Sequence, residues 1–312
     1  MTELSLEAMQ RDCEKLIRNP DIRKWNQSYF FNFYDRNTGC GAFIRMGFLE
    51  NLCESNCWAI FFRDGKPLFL RSNMNLPYTE DRPDPGVTLA GITFKVEKPL
   101  QSCRVTVAHE DFSADLVWDQ LFELCDSIHV GKDEKSDDDA IGRELSFYHP
   151  EGVCSVKGTL KLKNGETVAI DTTGWRDISA GPRNWSGLHH YRLVWPIFDN
   201  GMACVAVHGI TDHGHSYQKI LHDGTRWMAI DRMEEEIEYY EDGVRFKSGH
   251  WKIWDETGRL WEFTGKPMFH WHYPFDTFMM VEQMMEFRLA DGTLGYGMGE
   301  GGFNFPWRGN GN

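Results

Sequence analysis

The residues best suited to chemistry sit in Gly174-Trp175-Arg176-Asp177-Ile178-Ser179-Ala180-Gly181-Pro182-Arg183-Asn184-Trp185. A carboxylate between two guanidinium groups can exchange a proton, orient a substrate oxygen, or close a buried ion-pair clip. Both the clip and a polar cluster at the mouth of an apolar cavity fit these residue types. Neither period 2 nor period 3.6 describes the segment, so it is expected to be a structured connection. A second cluster is His270-Trp271-His272-Tyr273. On a strand the two histidines share one face, suited to acid–base work, to substrate hydrogen bonds or to an aromatic wall. A metal there would need a third ligand, for which His208, His213 and His215 are available, but no spacing selects one. Glu282 lies in Phe278-Met279-Met280-Val281-Glu282-Gln283-Met284. On a strand it shares a face with Phe278, Met280 and Met284, and apolar surroundings suit a general acid. Pairing with Arg176 or Arg183 would instead make it structural.

The elements that must hold these groups read as mostly β. Six Asn-Gly or Asp-Gly steps, at Asp64-Gly65, Asn164-Gly165, Asn200-Gly201, Asp223-Gly224, Asp242-Gly243 and Asp291-Gly292, are hairpin signals. Thr159-Leu160-Lys161-Leu162-Lys163 alternates apolar and charged residues. A sheet this long must stack or close to hide its edges, and a barrel that can hold a ligand is the natural outcome. Ser5 to Arg18 reads as a helix stopped by Asn19-Pro20. Ser72 to Gly86, with Pro77, Pro83 and Pro85, reads as a loop, and Gly131 to Asp139 as a charged surface loop. Trp25, Tyr29, Phe30, Phe31, Phe33 and Tyr34 fill both faces of an early strand, one face for the core and one available to a cavity.

Composition narrows the function. The chain has 312 residues, 41% hydrophobic and 14% aromatic, and a formal charge of −14. That charge disfavours nucleic acid and an anionic membrane surface. No apolar run approaches the roughly 18 residues of a spanning helix. The first residues lack the basic and apolar regions of a signal peptide, and the eight scattered cysteines fit free thiols, so a cytoplasmic location is expected. There is no GxGxxG before a helix, no Walker loop and no Gly-x-Ser-x-Gly elbow, which leaves nicotinamide, ATP and serine-hydrolase chemistry unsupported.

The Arg176 segment resembles the Arg-Asp-His-Ser-Trp-Gly-x-Arg signature of the carotenoid hydratase-like, lipocalin-type double-barrel proteins. That superfamily includes carotenoid hydratases, a fungal phytoalexin hydratase and cyclases of polyketide-derived decalins. Arg176, Asp177, Ser179, Gly181 and Arg183 match it, while Ile178 replaces its histidine and Ala180 its tryptophan. Softer likenesses are the aromatic run from Trp25, the pattern His149-Pro150-Glu151, and Gly295 to Glu300. The resemblance implies an all-β fold of two lipocalin-like antiparallel barrels with a short N-terminal helix, residues 1–185 and 186–312. It also implies a cofactor-independent hydratase, dehydratase or cyclase for a hydrophobic small molecule such as a terpenoid, polyketide or aromatic intermediate. In the resembling family a histidine and an acidic residue approach the signature, which makes His149 and Glu151 candidate partners of Asp177; a surface turn is the alternative.

The expected catalytic set is Asp177, His149, His270, His272 and Glu282. The expected substrate contacts are Arg176, Arg183, Trp185, Glu151, Tyr273, Trp25 and Tyr29. Neither a cofactor nor a metal is expected, and a homodimer is left open. Two other readings remain: a non-catalytic binder of apolar ligands, and a metal-dependent lyase on the His270/His272 face. Under the hydratase reading, Ile178 removes a ring nitrogen from the site and Ala180 enlarges the pocket.

Overall fold

The structure is a computed structural model that describes residues 6–128, 130, 146–275 and 277–304. A short helix, α1 (Leu6–Asp12), precedes eleven strands: β1 (Trp25–Asp35), β2 (Cys40–Leu49), β3 (Glu54–Arg63), β4 (Lys66–Pro77), β5 (Val87–Leu89), β6 (Ile92–Lys98), β7 (Ser102–His109), β8 (Phe112–Gln120), β9 (Cys125–Asp126), β10 (Pro150–Leu162) and β11 (Thr167–Pro182). A further eight follow: β12 (Leu188–Phe198), β13 (Met202–Thr211), β14 (Gly214–Asp223), β15 (Trp227–Tyr239), β16 (Phe246–Asp255), β17 (Leu260–Phe275), β18 (Phe278–Leu289) and β19 (Leu294–Asn304). The glycines of all six expected hairpin turns lie between consecutive strands with φ from 70° to 99°, a region open to glycine without steric cost.

The chain divides into two compact units, one built on residues up to Asp126 with Phe147–Pro182, the other on the chain from Arg183. The division therefore falls just before the expected boundary at Trp185.

The first unit is an all-antiparallel sheet in the order β4-β3-β2-β1-β11-β10-β8-β7-β6-β5, with β9 added to β10. It rolls up, for Phe112 of β8 packs its ring 4.7 Å from those of Phe61 on β3 and Phe69 on β4. The two end strands, β4 and β5, share no hydrogen-bonded ladder, so the roll keeps a seam. Odd-numbered β1 residues Tyr29, Phe31 and Phe33 and even-numbered β11 residues Ile170, Ile178 and Ala180 line the apolar interior. Met9, Cys13 and Ile17 enter the same interior from the N-terminal segment.

Three sequence expectations change here. The N-terminal helix ends at Asp12 instead of Arg18, because Gln27 captures the backbone: its amide donates to the Cys13 and Lys15 carbonyls and accepts the Ile17 N–H. The loop expected from Ser72 is strand through Pro77, which an edge strand tolerates because proline's missing N–H costs no ladder bond there. The signature segment is β-strand through Pro182, paired with β1 and β10 at once. Residues 174–181 are all buried, so both faces are covered and no polar alternation shows. The charged stretch at residues 131–139 lies outside the described residues.

The second unit is a closed eight-stranded barrel, β12 to β19 in chain order, with β12 pairing β19. Its core holds Phe198, Trp251, Phe263 and Phe287, with the Trp251 and Phe263 rings stacked at 5.4 Å.

Candidate active site

Alternation along β11 decides which side chains meet. Arg176 points into the first unit's interior and Asp177 to the opposite face. Asp177 stands directly across from Glu151 on β10 and from Phe30 on β1. The row continues through Arg45 on β2 to Trp58 on β3. His149 is delivered to the row by its neighbour: Tyr148 and Ala180 exchange two backbone hydrogen bonds of 2.9 Å. The His149 N–H then donates to Asp126 Oδ1 at 3.2 Å.

The result is a compact acid–base cluster. His149 Nε2 lies 3.4 Å from Asp177 Oδ2 and 3.6 Å from Glu151 Oε1. The Glu151 side chain is fully buried, and those of Asp177 and His149 are 9% and 16% exposed. Burying two carboxylates side by side is costly without a compensating positive charge or shared proton, and the imidazole is placed to supply either. Catalytic hydrogen bonds are often this long in a free enzyme and shorten in its complexes. The same three donors, all within 4.8 Å of one another, could also ligate a cation. The trio does not include the His270 and His272 that prompted the metal reading.

Further along this face Arg45 donates to Asn56 Oδ1 at 2.6 Å and lies 4.8 Å over the Trp58 ring. Gly47 admits it: a Cβ there would sit 2.6 Å from Arg45 Nη1. Arg45, Trp58 and Asp126 were missed in the sequence. The single cation inside Ala42-Phe43-Ile44-Arg45-Met46 was the signal available for Arg45.

The other expected site residues lie elsewhere. Arg176 is 2% exposed and ion-paired with Glu14 at 2.9 Å, with its Nε donating to Gln120 at 3.1 Å. It therefore neither orients Asp177 nor shares its face. Trp25 and Tyr29 are core residues of the same interior: Trp25 Nε1 donates to the Ile17 carbonyl at 3.0 Å, and burial pushes the Tyr29 phenol well above its ordinary pKa. Ile178 and Ala180, the two departures from the signature, also point inward and so neither removes a group from the Asp177 face nor widens a pocket there.

In the second unit Arg183 lies 5.4 Å from the Trp185 ring, and Trp185 stacks on Phe275 and Phe278 at 4.9 and 5.0 Å. Glu282 is 1% exposed, on the face expected from its spacing, and directly across from Glu300. Tyr273 is buried on β17 opposite Met280. His270 and His272 are exposed, with ring centroids 5.4 Å apart and Arg245 Nη1 3.4 Å from His270. Partial loss of hydration against the strand, then the Arg245 charge, lowers the pKa of both. They form no three-donor group among the described residues.

An all-β chain of two antiparallel barrels with a short N-terminal helix has the fold of the carotenoid hydratase-like double-barrel proteins. Residues 18–304 match a domain of unknown function, DUF7064, and the chain belongs to that family. Its structure is similar to that of a protein assigned as ATTH (NE1406) from Nitrosomonas europaea, at 14% identity and TM-score 0.61, covering 91% of this chain and 93% of that one. It is similar to CghA solved with Sch210972, at 11% identity and TM-score 0.61, covering 94% and 97%. Kievitone hydratase from Nectria haematococca matches at 10% identity and TM-score 0.60, covering 90% of each chain. No curated protein matches by sequence. Among the described residues no helix is long and apolar enough to cross a membrane, and all eight cysteines are free thiols.

Proposed function

We propose that this chain is a lyase or isomerase of the hydratase, dehydratase or cyclase type, acting on a hydrophobic small molecule by acid–base catalysis. The observation that carries the reading is the half-buried His149 imidazole within 3.6 Å of both of the buried carboxylates Glu151 and Asp177. Addition of water needs one proton given to an unsaturated carbon and one taken from water, with no net oxidation. Two carboxyl groups bridged by an imidazole can hold the first proton and accept the second. Phe30, across from Asp177, and Trp58 further along the row supply apolar and π surface beside the polar groups, suited to a hydrocarbon skeleton on which positive charge develops. Kinship of fold with kievitone hydratase and with CghA supports the same class of substrate and reaction.

The test begins with organic extraction of freshly purified protein and mass spectrometry of what is released. That molecule and its hydrated, dehydrated and cyclised relatives are then incubated with enzyme in H₂¹⁸O and in D₂O. Wild type is expected to incorporate the label, and Asp177→Asn to lose turnover by about 10²- to 10⁴-fold while keeping its fold. Full turnover by folded Asp177→Asn would refute the assignment. A ligand returned unlabelled and unchanged would make the protein a carrier. Loss of turnover on chelation, restored by a divalent cation, would convert the trio from acid–base groups to metal ligands.

A further inference from the structure

The first unit carries a cleft of about 740 Å³ between β4, the β7–β8 turn and the β10–β11 turn. None of its lining residues belongs to the His149, Glu151 and Asp177 cluster. Its size falls in the range of about 300–1,000 Å³ typical of small-molecule sites. Its walls are of two kinds. Phe69 and Phe112 stack in parallel, 4.7 Å apart with an 11° interplanar angle, and Leu162 adds aliphatic surface beside them. Arg71, His109 and Lys163 supply the polar part.

The two cations are answered differently. Lys163 is paired with Asp111 at 3.1 Å. Arg71 is half-buried and makes no hydrogen bond or ion pair among the described residues. Its position is fixed by the β3–β4 ladder, which places it opposite Ala59 and on the inward face with Phe69. His109, at the edge of the cleft, accepts the Asp111 N–H at Nδ1, 3.2 Å. A half-buried guanidinium with no acceptor, in a chain of formal charge −14, beside a stacked aromatic wall, is the complement of an anion with an apolar body.

We propose that this cleft is a second binding site, for an amphipathic organic anion: an aromatic or long aliphatic carboxylate whose carboxyl group bridges to Arg71 and whose body lies on Phe69 and Phe112.

The test is titration calorimetry of the intact protein with naphthalene-1-carboxylate and with its neutral analogue naphthalene-1-methanol. Wild type is expected to bind the carboxylate saturably at one site, and more tightly than the alcohol. Arg71→Gln should weaken carboxylate binding about tenfold or more and change alcohol binding less than twofold, since it removes a charge-assisted contact and nothing else. Arg71→Lys should recover part of the loss, and Phe112→Ala should weaken both probes. Asp177→Asn should leave carboxylate binding unchanged, which separates this site from the proposed catalytic one. Absence of saturable carboxylate binding would overturn the proposal. So would equal carboxylate affinity in wild type and folded Arg71→Gln.

Discussion

Replacing Arg176 by Met should cost stability and not chemistry. Its guanidinium donates to Glu14 at 2.9 Å and to Gln120 at 3.1 Å, and Glu14 Oε2 is already held by the Leu100 N–H at 2.7 Å. The gross attraction of two unit charges at that separation is about 6 kcal/mol at an effective dielectric of about 20, largely offset by the desolvation of both ions. Removing one partner strands the other charge, and that penalty is about 3–5 kcal/mol. In a unit of this size it corresponds to about 6–20 °C in the melting temperature of the affected transition. Glu14→Gln added to Arg176→Met removes the stranded charge while keeping an acceptor for Leu100, so the double variant should recover at least about 2 kcal/mol. Differential scanning calorimetry of wild type, both single variants and the double closes the cycle. If Arg176→Met melts within about 2 °C of wild type, or the double variant is no more stable than Arg176→Met, the ion pair does not hold the barrel interior together. If Arg176→Met keeps its stability but loses turnover, Arg176 serves the site after all.

The acid–base cluster predicts that His149→Gln and Glu151→Gln each lower kcat, by about 10²- to 10⁴-fold, with circular dichroism unchanged; wild-type kcat in both would remove the cluster from the mechanism. His190, on β12, is held near pKa 4 by burial and by the neighbouring Arg192 and His208 charges. The unfolded chain takes up a proton below about pH 6.5 while folded His190 does not until about pH 4, so stability must fall as pH drops through that window. The contribution is about 3 kcal/mol by pH 4, and urea unfolding at pH 7 and 4.5 should show a shallower acid loss in His190→Gln. Ala180 is fully buried in the barrel core beside Tyr148, so Ala180→Trp, which restores the signature residue, should overpack it by about 1–3 kcal/mol or more and lower the melting temperature.

The β architecture was legible because it is written locally. Each Asp-Gly or Asn-Gly turn needs a left-handed glycine, and Leu160 and Lys161 announce their faces by polarity alone. The Arg176–Asp177 pair was not legible in the same way. Adjacent side chains on a strand point to opposite faces, so the charge pair suggested by sequence cannot form across that dipeptide, and the true partner of Arg176 is Glu14, at the far end of the unit's chain. The buried signature strand hid its periodicity for the same reason that it is stable: both its faces are covered. His149 and Glu151 were found through family likeness, since nothing in Tyr148-His149-Pro150-Glu151 itself distinguishes a buried cluster from a surface turn. His270 and His272 share a strand face as their spacing implied, but spacing carries no information about what stands opposite.

Strand pairing also sets the order in which the chain can finish folding during synthesis. The first unit needs β11 to join β1 and β10, and every one of its strands has emerged before β12 is made. The second unit cannot close until its last strand arrives, because β12 pairs with β19. Until then β12 presents an unpaired edge to solvent or to another nascent chain, the kind of surface that invites strand exchange and aggregation. Termination before β19 therefore releases a finished N-terminal unit, which holds the His149, Glu151 and Asp177 cluster, joined to an open C-terminal sheet.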